Sequence, residues 1–155
     1  MISCTEFIPA YNELFRFLDR KSGRQAVYDY WNLSFDPDRA PINQYLSKSG
    51  LRGCWEYWSH TLNEEAADFT MILDEEAGYF KLEMHHCPSK GRLLKLDQIE
   101  PFDEYCLHCD LYRLSVEKHG LVYEYDFSRT DKAQCSLLIY DPTIYLPARK
   151  EAKSD

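Results

Sequence analysis

The spacing of the apolar residues changes once along the chain, between Leu62 and Asp68, and this change constrains the fold more than any other feature. Before it, apolar residues recur three or four positions apart, as on one face of an amphipathic helix. After it, apolar and polar residues alternate, as in a strand with one buried face. The sequence therefore predicts a helical first half and a second half that contains a sheet.

Breaks at glycine and proline divide these two halves into elements. The pattern predicts helices over residues 5–20, 24–33, 41–50 and 53–62, and a longer helix over 101–119 that opens at Pro101 and stops at Gly120. It predicts a hairpin of strands 68–74 and 79–86, with Gly78 supplying the positive φ of the turn. Two more strands are predicted over 121–127 and 134–140.

These elements predict an α+β fold, with N-terminal helices packed on a small, mostly antiparallel sheet of about four strands. We expect one domain over residues 1–147 and a disordered polar tail over 148–155.

Charge and hydropathy exclude two classes of partner. The chain has 26 acidic and 18 basic residues, a net charge of −8, and its basic residues are scattered. Binding of nucleic acid or of a membrane surface is therefore not expected, because both need a basic patch. No apolar run is long enough for a spanning helix, and the first 15 residues do not read as a signal peptide, so we expect a cytoplasmic protein. The tyrosine-rich helices could bury a homodimer face as easily as a core.

The residues whose side chains could act in catalysis or metal binding fall in three short segments, 83–88, 106–110 and 131–135. Cys106-Leu-His-Cys109-Asp110 lies early in the predicted helix 101–119, with both thiols on one face. A helix N-terminus lowers the pKa of a thiol, which suits a nucleophile, a metal ligand or a redox pair. The alternative is that both cysteines belong to the core.

The second segment, Glu83 to Pro88, ends a predicted strand. Glu83 and His85 share a face, where the carboxylate could orient the imidazole, and Cys87 would then have a base beside it. Alternatively, His85 and His86 are ordinary residues at the rim of the sheet.

The third segment has Asp131 in a turn and Cys135 at the start of a strand. Their alternatives are turn chemistry and core packing. Trp58 could wall a ligand pocket or belong to the core.

The order of these motifs resembles that of a known family, the L-2-amino-thiazoline-4-carboxylic acid hydrolase-like proteins, over residues 80–141. The resemblance implies a hydrolase-like scaffold that acts on a small cyclic substrate with a C–N or C–S bond. The matching positions are Cys87, Cys106, Cys109, Asp110, Asp131 and Cys135.

Under a hydrolase hypothesis, Cys87 or Cys106 is the nucleophile. His85 or His86 is the base, oriented by Glu83 or Asp110. The substrate would be held by residues with complementary charge or an aromatic surface, namely Arg92, Arg113, Trp58 and Asp131, with either arginine able to grip a substrate carboxylate.

Two alternatives remain open. Zinc, structural or catalytic, could be held by Cys87, Cys106, Cys109 and one histidine from His85, His86 or His108. The chain could instead be a non-enzymatic module that binds a small molecule.

Overall fold

The structure, a computed structural model, describes residues 7–65 and 67–145. These residues form helices and one antiparallel sheet, which confirms the predicted α+β fold. The α-helices are Ile8–Ser22 (α1), Arg24–Ser34 (α2), Ile42–Ser49 (α3), Leu51–Glu64 (α4), Pro88–Leu94 (α5) and Tyr112–Lys118 (α6). The strands are Asp68–Asp74 (β1), Tyr79–His86 (β2), Val122–Asp126 (β3) and Cys135–Tyr140 (β4), and 3-10 helices lie at Tyr105–Leu111 and Thr130–Lys132.

The four strands are ordered β1-β2-β4-β3, and each neighbouring pair is antiparallel. One face of the sheet is buried because alternate residues of β2, β3 and β4 are apolar. Helix α4 covers this inner face: Trp58 stacks on Phe80 with ring centroids 5.7 Å apart. The first of two hydrophobic clusters is formed by the inner face of the sheet together with α3, α4 and α6.

The second hydrophobic cluster joins α1, α2 and α5 through residues such as Phe15, Trp31 and Leu93, and it includes Phe102 from the segment after α5. The buried Asn12 ties it to the segment that precedes the 3-10 helix. Its side-chain amide donates to the Glu100 carbonyl at 3.0 Å, and its side-chain oxygen accepts from the Phe102 N–H at 2.7 Å. The 3-10 helix Tyr105–Leu111 consequently lies between the two clusters, with Tyr105 buried in the second.

Positive backbone φ angles occur where the sequence predicts turns. Gly78 has φ +75° in the β1–β2 turn, and Gly120 has φ +75° just after α6. Both angles belong to the region that glycine adopts without steric cost. The predicted roles of these two glycines are confirmed.

Two predictions about the segment after β2 are wrong. Residues 88–94, to which the pattern assigns neither helix nor strand, form α5, because Pro88 can occupy the first turn of a helix and the Cys87 sulfur accepts the Lys90 N–H at 3.4 Å. The single long helix 101–119 is replaced by the 3-10 helix Tyr105–Leu111 followed by α6. The tyrosine, cysteine and histidine residues of the 3-10 segment are weak helix formers, so tertiary contacts decide the local geometry.

The predicted tail 148–155 and the first two residues of the predicted helix 5–20 lie outside the described residues. Within residues 7–65 and 67–145, none of the helices has the length and apolar character needed to cross a membrane.

Candidate functional site

A cavity of about 340 Å³ lies between α4, the inner face of the sheet and the 3-10 helix Tyr105–Leu111. Small-molecule sites in proteins start at about this size. Its described lining is aromatic and sulfur-rich, with two further titratable side chains, and comprises Tyr57, Trp58, Tyr112, Tyr123, Tyr125, Cys87, Cys109, Cys135, His108 and Glu65 among apolar residues and the hydroxyl-bearing Thr61 and Ser89. The three chemical segments of the sequence thus each contribute one cysteine to this cavity.

Cys109 and His108 form the one Cys–His contact among the hydrogen bonds of the described residues, with Sγ 3.8 Å from Nε2. The other ring nitrogen, Nδ1, faces the Tyr105 carbonyl, which can only accept, so Nδ1 carries the proton. Nε2 is then an acceptor directed at the thiol. Burial lowers the pKa of His108, which keeps the imidazole neutral and able to accept a proton.

Cys87 and Cys135 enter the cavity from the ends of β2 and β4. The Cys87 N–H donates to the Ala133 carbonyl at 2.8 Å, which holds the end of β2 against the turn before β4. Ala133 adopts φ +56°, an unusual angle for a residue other than glycine. The Tyr125 hydroxyl lies 3.1 Å from the Cys135 sulfur, so Cys135 is fixed against β3.

Tyrosine hydroxyls fix the remaining walls. Tyr57 and Tyr112 are joined by a hydrogen bond of 3.1 Å between their hydroxyls, and the Tyr123 hydroxyl donates to the Cys109 carbonyl at 3.0 Å. Burial raises the pKa of all four lining tyrosines, so they stay neutral.

The thiols of the cavity are neutral as well. Burial raises the pKa of Cys87, Cys109 and Cys135 to about 11 in each case. The expected lowering by a helix N-terminus is not found, because these thiols lie in an apolar enclosure and the helix that carries Cys109 is a short 3-10 turn. A thiol of this cavity needs a base to become a nucleophile.

Glu65 is a lining residue that sequence reasoning missed. It follows the last residue of α4, and although the residue is exposed overall, it lines the cavity. Burial raises the pKa of its carboxyl, and the neighbouring Glu64 adds to the effect. Its place in an acidic run, Asn-Glu-Glu, suggested only a solvated helix end; no sequence signal separates it from Glu64.

Cys106 is not among the described residues that line the cavity. It packs against the second hydrophobic cluster, and burial raises the pKa of its thiol to about 12. Cys106 and Cys109 are three apart in a 3-10 helix, where such side chains lie one above the other. Cys109 nevertheless reaches the cavity, whereas Cys106 is held by the core.

Glu83, His85 and His86 do not line this cavity, although Glu83 and His85 line a smaller pocket of about 160 Å³ to which Cys135 also contributes. Glu83 and His85 project from the opposite face of β2 to the buried Leu82 and Met84. Glu83 pairs with the Lys81 ammonium at 2.5 Å, which lowers the pKa of this carboxyl, and His85 hydrogen-bonds the Thr70 hydroxyl at 2.7 Å.

His86 is exposed and lies against Gly91 of α5. The strand period of two turns Glu83 and His85 away from the cavity, and none of the three residues lines it, so the imidazole beside a cavity cysteine is that of His108.

Asp110 and Arg113 form a pair of their own. The guanidinium donates two hydrogen bonds to the Asp110 carboxylate, at 2.7 and 3.1 Å, and a third to the Tyr123 carbonyl. It also lies over the Tyr123 ring, 5.0 Å from its centroid. Arg113 therefore supports the cavity wall from behind, and neither residue lines the cavity.

Of the other predicted substrate-binding residues, one lines the cavity and two do not. Trp58 lines the cavity and belongs to the core at once, 6% exposed. Arg92, on α5, and Asp131, exposed in the 3-10 helix Thr130–Lys132, lie outside the described lining.

The zinc set finds no geometric support. Across residues 7–65 and 67–145, no three side chains of His, Cys, Asp or Glu are placed to hold one metal ion. Cys87 and Cys109 line the cavity with His108, whereas Cys106 is outside the described lining and packs against the second cluster. The five cysteines of the described residues are free thiols.

Comparison of the chain with protein-family models, with curated proteins and with solved structures finds no match.

Proposed function

We propose that the cavity binds a small cyclic molecule and hydrolyses a C–N or C–S bond in it, with Cys109 as nucleophile and His108 as base. The observation that carries the proposal is the contact of 3.8 Å between the Cys109 sulfur and His108 Nε2, with both side chains lining one cavity. A nucleophile within reach of an oriented base is the arrangement that covalent catalysis needs.

The protonation states set the direction of proton transfer in this pairing. A thiol with a pKa of about 11 stays protonated at neutral pH, and the neutral imidazole is the group that takes its proton as the sulfur attacks. The Tyr105 carbonyl accepts from Nδ1 and stabilises the imidazolium that forms. The distance between sulfur and nitrogen is long for a hydrogen bond, and such contacts commonly tighten when substrate binds.

The reaction proceeds in two balanced steps. The Cys109 sulfur forms a bond to the electrophilic ring carbon, its proton moves to His108 Nε2, and His108 passes that proton to the ring nitrogen or sulfur whose bond to the carbon breaks. Water then attacks the thioester-type carbon, the bond to Cys109 breaks, and the proton of the water returns through His108 to the thiolate. The sum is substrate plus water giving the ring-opened product.

The resemblance to the thiazoline-type hydrolase-like family supports the same reaction class. Of the positions that carry it, Cys87, Cys109 and Cys135 line the cavity. Cys87 and Cys135 supply neutral, polarisable walls to the reacting group, whereas Asp110 acts through Arg113 on the wall behind.

The test compares two cysteines of the same 3-10 helix. Cyclic amidines, thiazolines and lactams are screened for ring opening by wild type, Cys109→Ala and the matched control Cys106→Ala. We expect Cys109→Ala to lose at least about a hundredfold in kcat/KM and Cys106→Ala to stay within about threefold. Equal activities of the two variants would contradict the assignment of Cys109.

A second candidate is a non-enzymatic module that binds the same kind of molecule. It is favoured by the raised pKa of each lining thiol, since none is a resting thiolate. Saturable binding of a compound by wild type, without ring opening of any compound in the screen, would select this candidate.

A further inference from the structure

The described lining of the cavity carries an acidic side chain but no basic one that is charged. None of its lining residues within the described ranges 7–65 and 67–145 is a lysine or an arginine, and its histidine is neutral. The one carboxyl group in that lining belongs to Glu65. A bound anion would therefore meet no positive partner there and would lie in the same enclosure as a like charge.

The charge of the Glu65 carboxylate is not offset by a positive charge among the described residues. The neighbouring charge that acts on it is that of Glu64, which is of the same sign, and no lysine or arginine of the described residues contributes. A carboxylate in this position is stabilised by any positive group that enters the cavity.

The walls are suited to a positive group as well. Five lining residues are aromatic, namely Tyr57, Trp58, Tyr112, Tyr123 and Tyr125. The faces of such rings carry partial negative charge and attract ammonium and guanidinium groups, most strongly where water is excluded.

Of the two arginines predicted to hold a substrate carboxylate, Arg92 does not line the cavity and Arg113 is bound to other groups. The Arg113 guanidinium donates hydrogen bonds to Asp110 and to the Tyr123 carbonyl, and it lies over the Tyr123 ring. The sequence hypothesis of a substrate carboxylate held by Arg113 is therefore not supported by this geometry.

We propose that the cavity selects a small organic cation, an ammonium or a cyclic amidinium without a carboxylate, with Glu65 as its counter-charge and the tyrosine and tryptophan rings as its walls. A volume of about 340 Å³ accommodates a molecule with one ring. The role of this cation as substrate rests on the proposed function, whereas the preference for positive charge is a binding property that is measured without turnover.

The test uses three probes of one shape and different charge: benzamidinium, benzamide and benzoate. Their affinities for the full chain are measured by calorimetry at neutral pH, for wild type, Glu65→Gln and the matched control Glu64→Gln. Glu64 precedes Glu65 in sequence but is not among the described lining residues, and its partner is His60 at 3.6 Å.

We expect benzamidinium to bind wild type about tenfold more tightly than benzamide, and benzoate to bind more weakly than either. In Glu65→Gln the preference should fall to about threefold or less, whereas Glu64→Gln should keep it. Benzoate binding as tightly as benzamidinium, a preference that persists in Glu65→Gln, or no binding of benzamidinium at millimolar concentration would overturn the proposal. Ring opening of neutral compounds that depends on Cys109, without a charge preference, would remove this inference and leave the proposed function standing.

Discussion

At the scale of single residues, burial decides the protonation of the site. The thiols of Cys87, Cys109 and Cys135 have pKa values of about 11, against an ordinary value of 9.0, because an apolar enclosure penalises the thiolate. The same enclosure lowers the pKa of His108. The proposed nucleophile and base are thus both neutral at rest, and the proposed chemistry depends on their contact rather than on a preformed thiolate.

These thiol pKa values predict how stability depends on pH. A thiol whose pKa is raised by folding keeps its proton in the folded state and loses it on unfolding above pH 9.0. The stabilisation is therefore complete below about pH 9 and is lost as pH rises through about 11. At pH 10 the loss is on the order of 1 kcal/mol for each thiol.

Urea unfolding between pH 8 and pH 10.5 measures this loss. Cys109→Ala should show a shallower decline than wild type, because one of the contributing thiols is gone. A free energy of unfolding that stays constant over this range would show that the thiols are not shielded as described.

The chemical segments could be identified from the sequence, but not their pairing. The sequence places cysteines in all three chemical segments, and one from each, namely Cys87, Cys109 and Cys135, lines the cavity, whereas Cys106 does not. The base could not be assigned, because His85 and His86 are adjacent to Cys87 in sequence and yet do not line the cavity. Glu65 could not be found at all, since its position at the cavity depends on where α4 ends relative to the sheet.

At the scale of elements, the approach of α3 and α4 depends on one glycine. A Cβ built on Gly53 would meet the backbone carbonyl of Tyr45 and the nitrogen of Leu46. Gly53 therefore permits a contact between backbones that no other residue type allows. Because α4 carries Tyr57, Trp58 and the approach to Glu65, this contact also sets one wall of the cavity.

Gly53→Ala tests the contact, because the sign of its effect on the free energy of unfolding depends on whether the two backbones are this close. Helix propensity alone would stabilise the variant by about 1 kcal/mol, since glycine is a poor helix former. The clash with the α3 backbone should outweigh that gain and give a net loss of about 1–2 kcal/mol in the free energy of unfolding. The control His60→Ala, at an exposed position of the same helix, should stay within about 0.5 kcal/mol. A stabilised Gly53→Ala protein would refute the close approach.

Elements with strong periodicity were predicted well. The hairpin strands 68–74 and 79–86 are observed with those bounds, because their alternation reflects one buried face. The segment 88–118 was predicted poorly, since its geometry depends on distant partners. Asn12 fixes the backbone of Glu100 and Phe102 from 88 and 90 residues away, which local pattern cannot show.

At the scale of the whole molecule, the 3-10 helix Tyr105–Leu111 joins two hydrophobic clusters. Tyr105 and Cys106 face the cluster of α1, α2 and α5, whereas Cys109 faces the cavity beside the sheet. The N-terminal helices, which carry no chemical motif of their own, therefore pack against Tyr105 and Cys106 of the 3-10 helix that also carries the proposed nucleophile, Cys109. This arrangement explains why one cysteine of the pair is reactive in our account and the other is structural.

The most direct test of this account is to determine which cysteine a small cationic electrophile modifies first. Chloroacetamidine carries an amidinium group and forms a thioether as chloride leaves and the thiol proton passes to a base. Peptide mapping at limited reaction should find Cys109 modified ahead of Cys106, and His108→Gln should slow the modification of Cys109. Modification of Cys106 as early as Cys109, or a rate at Cys109 that does not depend on His108, would contradict the central claim that the cavity presents Cys109 and its base to a bound cation.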